Sequence, residues 1–390
     1  MSNNTKLFSF GFLAINLQFA LVTSIAALFF AFVGYLNVLG IPPATAGFIL
    51  SADALAALIV LPLITPFVHM GTARRWLFGG AVALSVALFM VGHVSSVPLL
   101  TAARLLQGAG FICVVASLNT LAVQFIPKEM SGSAFGYISL VRLVPYAFIP
   151  LLFSFFAISP AEFGKVLNVA AVLALLPFLM LMLPPPQHVV AKEMSNSPGL
   201  AGIITSLRSG SVMVLLLSTL LFFCGYSAIF YYLKQFGHTV GIANASVFFT
   251  ICTLVMIVIR LLFSRLFDAC NKGLVCAAGL FIVAVCYGLL PFSSSGMFFV
   301  LAGFTGFGWG IAMPLQAAAM FDISPPAAQA MNQNLLVLMM QGGFFIGPIF
   351  GGQLISTFGY NVLFLSLAGT TLVAGLLMIR LGCIRMPTRQ

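Results

Sequence analysis

Four ionisable side chains, Asp53, Arg104, Arg142 and Arg260, stand in stretches otherwise built of apolar residues. A charge at the centre of a bilayer costs at least about 2.5 to 3.5 kcal/mol, so such a residue faces a partner or a water-filled path. Asp53 offers proton exchange, and the three guanidinium groups offer counter-charge or anion binding. Burial favours the protonated carboxyl and a neighbouring arginine favours the ionised one. Asp53 is the only carboxylate well inside an apolar run, so it is the expected proton carrier. A permanent ion pair of Asp53 with Arg104 or Arg142 is the structural alternative. Arg260 lies nearer one end of its stretch and reads more readily as an interfacial charge.

Further polar and aromatic residues share helix faces. Arg104, Gln107 and Phe111 follow i, i+3, i+7, and Thr305, Trp309 and Gln316 follow i, i+4, i+11. Phe222, Tyr226 and Phe230 recur every four residues, and Asn16 and Thr23 are seven apart. Each spacing returns to one side of an α-helix. Aromatic stripes serve packing as readily as ligand contact. Together with Arg104 and Gln107, they predict a mixed cavity for an amphipathic or partly anionic organic molecule.

The elements that position these residues are membrane helices. Hydrophobic residues make up 62% of the 390 and charged residues 6%, and the mean hydropathy is +1.17. Soluble domains carry roughly 25% charged residues. Long apolar stretches holding 40 Phe and 36 Gly favour helices, since barrel strands alternate over only about ten residues. The first stretch, from about 8 to 35, exceeds the 7 to 15 or so residues of a signal-peptide core and is expected to remain as a spanning helix. Apolar segments near the 20 or so residues a span needs fall at about 8–35, 42–67, 76–93, 98–125, 131–157, 163–183, 211–235, 242–267, 273–291, 296–320, 331–355 and 360–381.

The net charge of +10 is spread over short loops, which argues against nucleic-acid binding and for a topology signal. With both termini cytoplasmic, Lys6, Arg74, Arg75, Lys128, Lys192, Arg208, Arg265, Lys272, Arg380, Arg385 and Arg389 fall inside, and only Lys165 and Lys234 outside. "PPPQHVVAKEMSNSPGLAGIITSLRSG", from Pro184 to Gly210, is the widest polar interruption. It predicts an amino-terminal six-helix bundle over 1–183, a cytoplasmic linker over 184–210 and a second bundle over 211–390. The seven cysteines lie mostly in apolar stretches without a Cys-x-x-Cys spacing, so they read as membrane-core residues rather than metal ligands or disulfides.

The halves repeat. "QGAGF" at Gln107 and "TGFGW" at Thr305 are 198 residues apart, as are Pro150 and Pro348. Parallel repeats of this size suggest a transporter with its site between the halves near the midplane. At the same offset Arg104 corresponds to Ala302, Arg142 to Met340, Asp53 to Ile251 and Arg260 to Pro62. The equivalent helices form without those charges, which points to function at Arg104, Asp53 and Arg142.

"LTAARLLQGAGF" resembles the fourth-helix motif of major facilitator superfamily transporters at Leu100, Arg104, Gln107, Gly108 and Gly110. "GWGIAMPLQAAAMF" is similar to the tenth helix of bacterial efflux-type members, and the resemblance runs through essentially the whole chain. It implies an all-α integral membrane protein of 12 transmembrane helices in two pseudo-symmetric six-helix bundles. Helices one, four, seven and ten would line the cavity.

By the same resemblance, Arg74, Arg75, Arg265 and Asp268 belong to cytoplasmic latches. The first-half loop "TPFVHMGTARR" has His69 and Met70 where the family carries Asp-Arg, so a normal latch is not expected there. The family's antiporter motif, usual in helix five, appears in helix eleven as Gly343, Gly347, Pro348, Gly351 and Gly352. Small residues at this spacing permit close helix contact, so it reads as a helix-packing motif.

The function expected is secondary transport of a small amphipathic or partly anionic organic molecule across a bacterial inner membrane, by alternating access and as proton-coupled export. The site residues would be Arg104, Gln107, Phe111, Arg142, Asn16, Thr23, Phe222, Tyr226, Phe230, Thr305, Trp309 and Gln316, with Asp53 and Arg104 coupling protons. Proton-coupled import or facilitated passage of sugars, nucleosides or carboxylates is the alternative, and a non-transporting receptor a third reading. No nucleotide motif, metal cluster or catalytic triad spacing appears, so neither an enzyme nor a cofactor is expected, and the working unit is expected to be a monomer in the lipid bilayer.

Overall fold

In a computed structural model the described residues are 9–65, 67–68, 71–122, 125, 131–182, 206–242, 244–269, 271–325 and 328–383. All regular structure among them is helical. The chain separates into two compact units, Met1–Ile41 with Phe48–Glu193, and Pro42–Gly47 with Met194–Gln390. The linker expected at 184–210 lies almost wholly outside the described residues.

The first unit opens with α1 (Phe10–Leu28), whose amino end is capped by Ser9 accepting from the Phe12 amide at 3.3 Å. A 3-10 turn at Phe29–Ala31 joins it to α2 (Phe32–Val38). Gly40, at φ 73°, makes the turn into α3 (Pro43–Ile64); that left-handed backbone suits a residue without Cβ. Then follow α4 (Ala73–His93), α5 (Val97–Ala122), α6 (Ser131–Phe155) and α7 (Phe163–Leu173).

The sixth span, expected as one helix, is broken: beyond α7 the chain continues as a 3-10 helix over Leu176–Met182. Pro177 has no amide to donate to the preceding turn, and its ring crowds the carbonyl there. One core of this unit joins α1, α4, α5 and α6 through Phe12, Phe19, Leu77, Leu118 and Ile138, with Phe111 packed against it.

The second unit comprises α8 (Gly210–Thr239), α9 (Val247–Ala269), α10 (Lys272–Leu289), α11 (Ser295–Ile323) and α12 (Gln329–Cys383). Asn271 and Ser294 cap α10 and α11 by accepting from the amides of Leu274 at 3.2 Å and Met297 at 3.4 Å. The 55 residues of α12 contain Gly359 at φ 81° and ψ −179°. A straight helix of that length would run about 80 Å against a hydrocarbon core of about 30 Å, so Gly359 divides two crossing segments.

Ten helices among the described residues are long and apolar enough to cross a membrane, and Val247–Phe263 is a shorter apolar helix. Counting that helix and both parts of α12 gives twelve segments. The protein is therefore an all-α membrane protein.

The repeat is visible in the glycines. A Cβ on Gly108 would collide with the Asp53 backbone, and one on Gly306 with the Cys252 backbone. Gly110 packs on Gly80 and Leu84, while Gly308 packs on Gly279 and Val283. This corrects the alignment made at the 198 offset: Asp53 is matched by Cys252, not Ile251, and Arg260 by Leu61, not Pro62. The cause is a shorter connection. Three residues separate His93 from Val97, but only two separate the 3-10 turn ending at Phe292 from Ser295.

Candidate functional site

In the first unit Arg104 projects from the first third of α5 toward α3. Its Nη2 stands 2.7 Å from Asp53 Oδ1 and donates to the Leu50 carbonyl at 3.0 Å. Nη1 donates to Gln107 Oε1 at 2.7 Å, and Nε to the Ile49 carbonyl at 3.4 Å. The guanidinium lies 4.4 Å from the ring centre of Phe29 and 5.4 Å from that of Phe32. Each guanidinium nitrogen thus has an acceptor and two rings lie within cation–π distance, which offsets the desolvation of a charge in the membrane core.

Arg104 has no exposed side-chain surface, whereas Asp53 keeps 28% of its own. The arginine expected to meet substrate is therefore sealed in this structure, and the carboxylate is the accessible member of the pair. Gln107 is spent on Arg104 and is itself buried. Phe111 is half-buried and packs against the core of this unit.

Arg142, one of the expected binding residues, is half-buried on α6. It donates to Asn119 Oδ1 at 2.6 Å and lies 4.0 Å over the Phe19 ring. Tyr146 lies one turn further along α6. Asn16 and Thr23 turn back onto their own helix, donating to Phe12 and Phe19 carbonyls at 2.8 and 2.7 Å.

In the second unit α8, α11 and α12 bring an aromatic cluster together. Tyr226 lies 4.4 Å from Trp309 and 5.8 Å from both Phe223 and Phe344, measured between ring centres. The Trp309 indole donates to the Tyr287 hydroxyl at 3.1 Å. Phe222 is fully buried beside Tyr226, while Phe230 faces Tyr231 and Phe249 instead. Thr305 and Gln316 are buried on the Trp309 face of α11, and neither amide atom of Gln316 has a hydrogen-bond partner among the described residues.

Of the four latch residues, Arg74 is half-buried and Arg75 exposed at the start of α4, and the side chains of Arg265 and Asp268 lie outside those described, as does His69. An ion pair not anticipated from the sequence joins Lys272, at the start of α10, to Asp322, near the end of α11.

Gly343 and Gly347 of α12 pack on Phe223, Cys224 and Ser227 of α8, and Gly351 and Gly352 on Tyr232. Ser227 donates to the Gly343 carbonyl at 3.0 Å, and Tyr232 to that of Pro348 at 2.8 Å. The motif thus forms a close helix crossing inside the second unit. Asn119, Tyr146, Phe29, Phe32, Tyr287 and Phe344 carry contacts in these clusters that helical periodicity did not single out. Among the described residues no three His, Cys, Asp or Glu side chains gather as a metal site.

Comparison with curated protein sequences returns no match. Among solved structures, a mutant of the nucleoside transporter NupG is similar with a TM-score of 0.82 at 14% identity, over 95% of this chain and 99% of that one. A POT family transporter in complex with a thioalcohol-conjugated peptide gives 0.77 at 14% identity over 94% of both chains. A bacterial homolog of the human lysosomal transporter Spinster, inward-facing and unoccupied, gives 0.72 at 14% identity over 98% of this chain and 96% of that one. The family profile described as Major Facilitator Superfamily matches residues 13–274 and 270–388, and the chain belongs to that superfamily of secondary transporters.

Proposed function

We propose that the protein exports a small amphipathic or partly anionic organic molecule across a bacterial inner membrane, as a monomer, in exchange for protons. The observation that supports this reading is the asymmetry of the Asp53–Arg104 pair: a fully buried guanidinium facing a carboxylate that keeps 28% of its side-chain surface. An accessible carboxylate can take a proton, and in doing so it leaves Arg104 with carbonyl and amide partners alone. Loss of the ionic partner changes the energy of the α3–α5 crossing, where Gly108 rests on the Asp53 backbone. Protonation and helix movement are thereby linked, as alternating access driven by a proton gradient requires. In the second unit the Tyr226–Trp309 rings supply stacking surface for the transported molecule.

The test is flux in proteoliposomes with and without a pH gradient. The proposal expects gradient-dependent flux in the wild type and gradient-independent flux in Asp53→Asn. Flux that ignores the gradient in both proteins overturns the coupling. Proton-coupled import or facilitation of nucleosides is a second reading, favoured by the structural likeness to NupG. Accumulation of labelled nucleoside inside cells supports it, and depletion from them supports export.

A further inference from the structure

We infer that the first unit holds a binding site for a small inorganic monovalent anion, chloride, between Arg142 of α6 and Asn119 of α5. The inference rests on the transporter reading above and adds to it a counter-ion that is not the cargo.

Arg142 is the twelfth of the 25 residues of α6, inside a stretch apolar enough to cross a membrane. An arginine keeps its charge in proteins, and a charge within a span requires a partner of opposite sign or a water-filled path. Neither contact that the structure gives Arg142 is ionic. Its Nη2 donates to Asn119 Oδ1 at 2.6 Å, and the guanidinium carbon lies 4.0 Å from the centre of the Phe19 ring. An amide oxygen and a ring face each carry only partial charge. The described carboxylates of this unit are engaged elsewhere, Asp53 with Arg104 and Glu162 with Lys165. Among the described residues Arg142 is therefore a cation without an anion.

The local geometry turns that charge into a site. A guanidinium has five N–H donors, and Asn119 takes one of them. Because Asn119 accepts through Oδ1, its Nδ2, bonded to the same carbon, stands beside the guanidinium with two donors of its own. Phe19 covers one face of the group, so an anion meets it in the plane of its N–H bonds, where the amide hydrogens join them. Such charge-assisted donors are the ones that hold an anion well. Asn119 is exposed and Arg142 half-buried, so an ion reaches both without opening the core.

The repeat supplies an independent argument. At the 198 offset Asn119 corresponds to Ala317 and Arg142 to Met340, so the second unit builds the equivalent helices with neither donor. The pair is an addition that packing does not require. The transport cycle explains why a small free ion, and not the cargo, is the occupant. In exchange for protons the protein returns without cargo and with Asp53 neutral, which leaves both Arg104 and Arg142 uncompensated. A bound chloride lowers that excess in the state where the cargo is absent.

The test uses the full-length protein in detergent and chloride itself as the probe, with gluconate holding the ionic strength constant. Binding is read from the broadening of the chloride NMR line, which reports weak and rapidly exchanging sites. The expected result is broadening that saturates and that bromide removes. Arg142→Gln should abolish it, and Arg142→Lys, which keeps the charge without the fork, should retain weaker binding. Asn119→Leu should weaken binding by about ten-fold, as the loss of one hydrogen bond to a charged group implies. Asn119→Asp places a carboxylate at the position of the amide, where it becomes the counter-ion of Arg142. Chloride broadening should then vanish, and chloride, which raises the thermal midpoint of the wild type, should no longer move it.

Broadening that does not saturate, or that survives Arg142→Gln or Asn119→Asp, overturns the inference. Displacement of chloride by benzoate at lower concentration than by bromide overturns the halide assignment and gives the site to an organic carboxylate. If Arg142→Gln does not fold, the Asn119→Asp and Asn119→Leu titrations decide by the same criteria. Loss of gradient-dependent flux counts against the transport reading and leaves the chloride titration standing.

Discussion

Arg104 Nη2 lies 2.7 Å from Asp53 Oδ1, and the same helix crossing in the second unit does without any charge. There the Cys252 thiol donates to the Ala302 carbonyl at 3.1 Å, with Gly306 resting on the Cys252 backbone as Gly108 rests on that of Asp53. One chain thus contains the crossing with and without an ion pair. The glycine contact is what the fold requires, and the ion pair is an addition made in one half.

Removing one partner of a buried pair leaves an uncompensated charge, at a cost of about 3–5 kcal/mol. Asp53→Asn should therefore lower the thermal midpoint in detergent, because Arg104 cannot reach water from its sealed position. The double variant Asp53→Asn with Arg104→Gln should be more stable than Asp53→Asn alone, since no charge is then left behind. A double variant less stable than that single variant would mean that the guanidinium holds the crossing by its shape and hydrogen bonds rather than by its charge.

The glycines make a sharper prediction. Gly108→Ala and Gly306→Ala both drive a methyl into helix backbone, which cannot yield as a side chain can. Each should destabilise by about 1–3 kcal/mol. Gly303 has nothing within 4 Å of its built Cβ, so Gly303→Ala should instead stabilise by up to about 1 kcal/mol through helix propensity. Thermal midpoints of the three variants check the opposite signs.

These cases show what could be read from residue order. Apolar length marked the helices, and the recurring Gly-x-Gly marked the tight crossings, because both are properties of a contiguous stretch. The Asp53–Arg104 pair was one of two pairings open to Asp53, and the choice depended on the rotation of α5 against α3. Asn119 beside Arg142, and Tyr287 beside Trp309, are 23 and 22 residues apart and on different helices. Spacing within a single helix carries no information about such pairs. The one-residue slip between halves came from a loop, where an unpaired residue leaves no periodic trace.

The Trp309–Tyr287 hydrogen bond lies wholly in the interior. Tyr287→Phe keeps the ring and removes the acceptor, leaving a buried indole N–H unpaired at a cost of about 1–3 kcal/mol. In a Trp76→Phe background, the Trp309 emission should shift to shorter wavelength and the thermal midpoint should fall. Unchanged emission would show that the indole finds another acceptor.

Lys272 and Asp322 pose a question of sign. Lys272 is the first residue of α10 and Asp322 the penultimate residue of α11, so each charge sits at the end of its own helix that the macrodipole disfavours. The pair compensates both helix ends at once, and its side chains are only 14% and 27% exposed. Asp322→Asn alone leaves the lysine at a positive helix end and should destabilise. Exchanging the residues, Lys272→Asp with Asp322→Lys, keeps the ionic contact and puts each charge where the dipole favours it, a gain of about 0.3–1 kcal/mol per charge. The exchanged protein should therefore melt above the wild type, whereas the single variant Asp322→Asn melts below it. If the exchanged protein also melts below the wild type, the contact depends on the reach of the lysine from α10, and the dipole argument fails at this site.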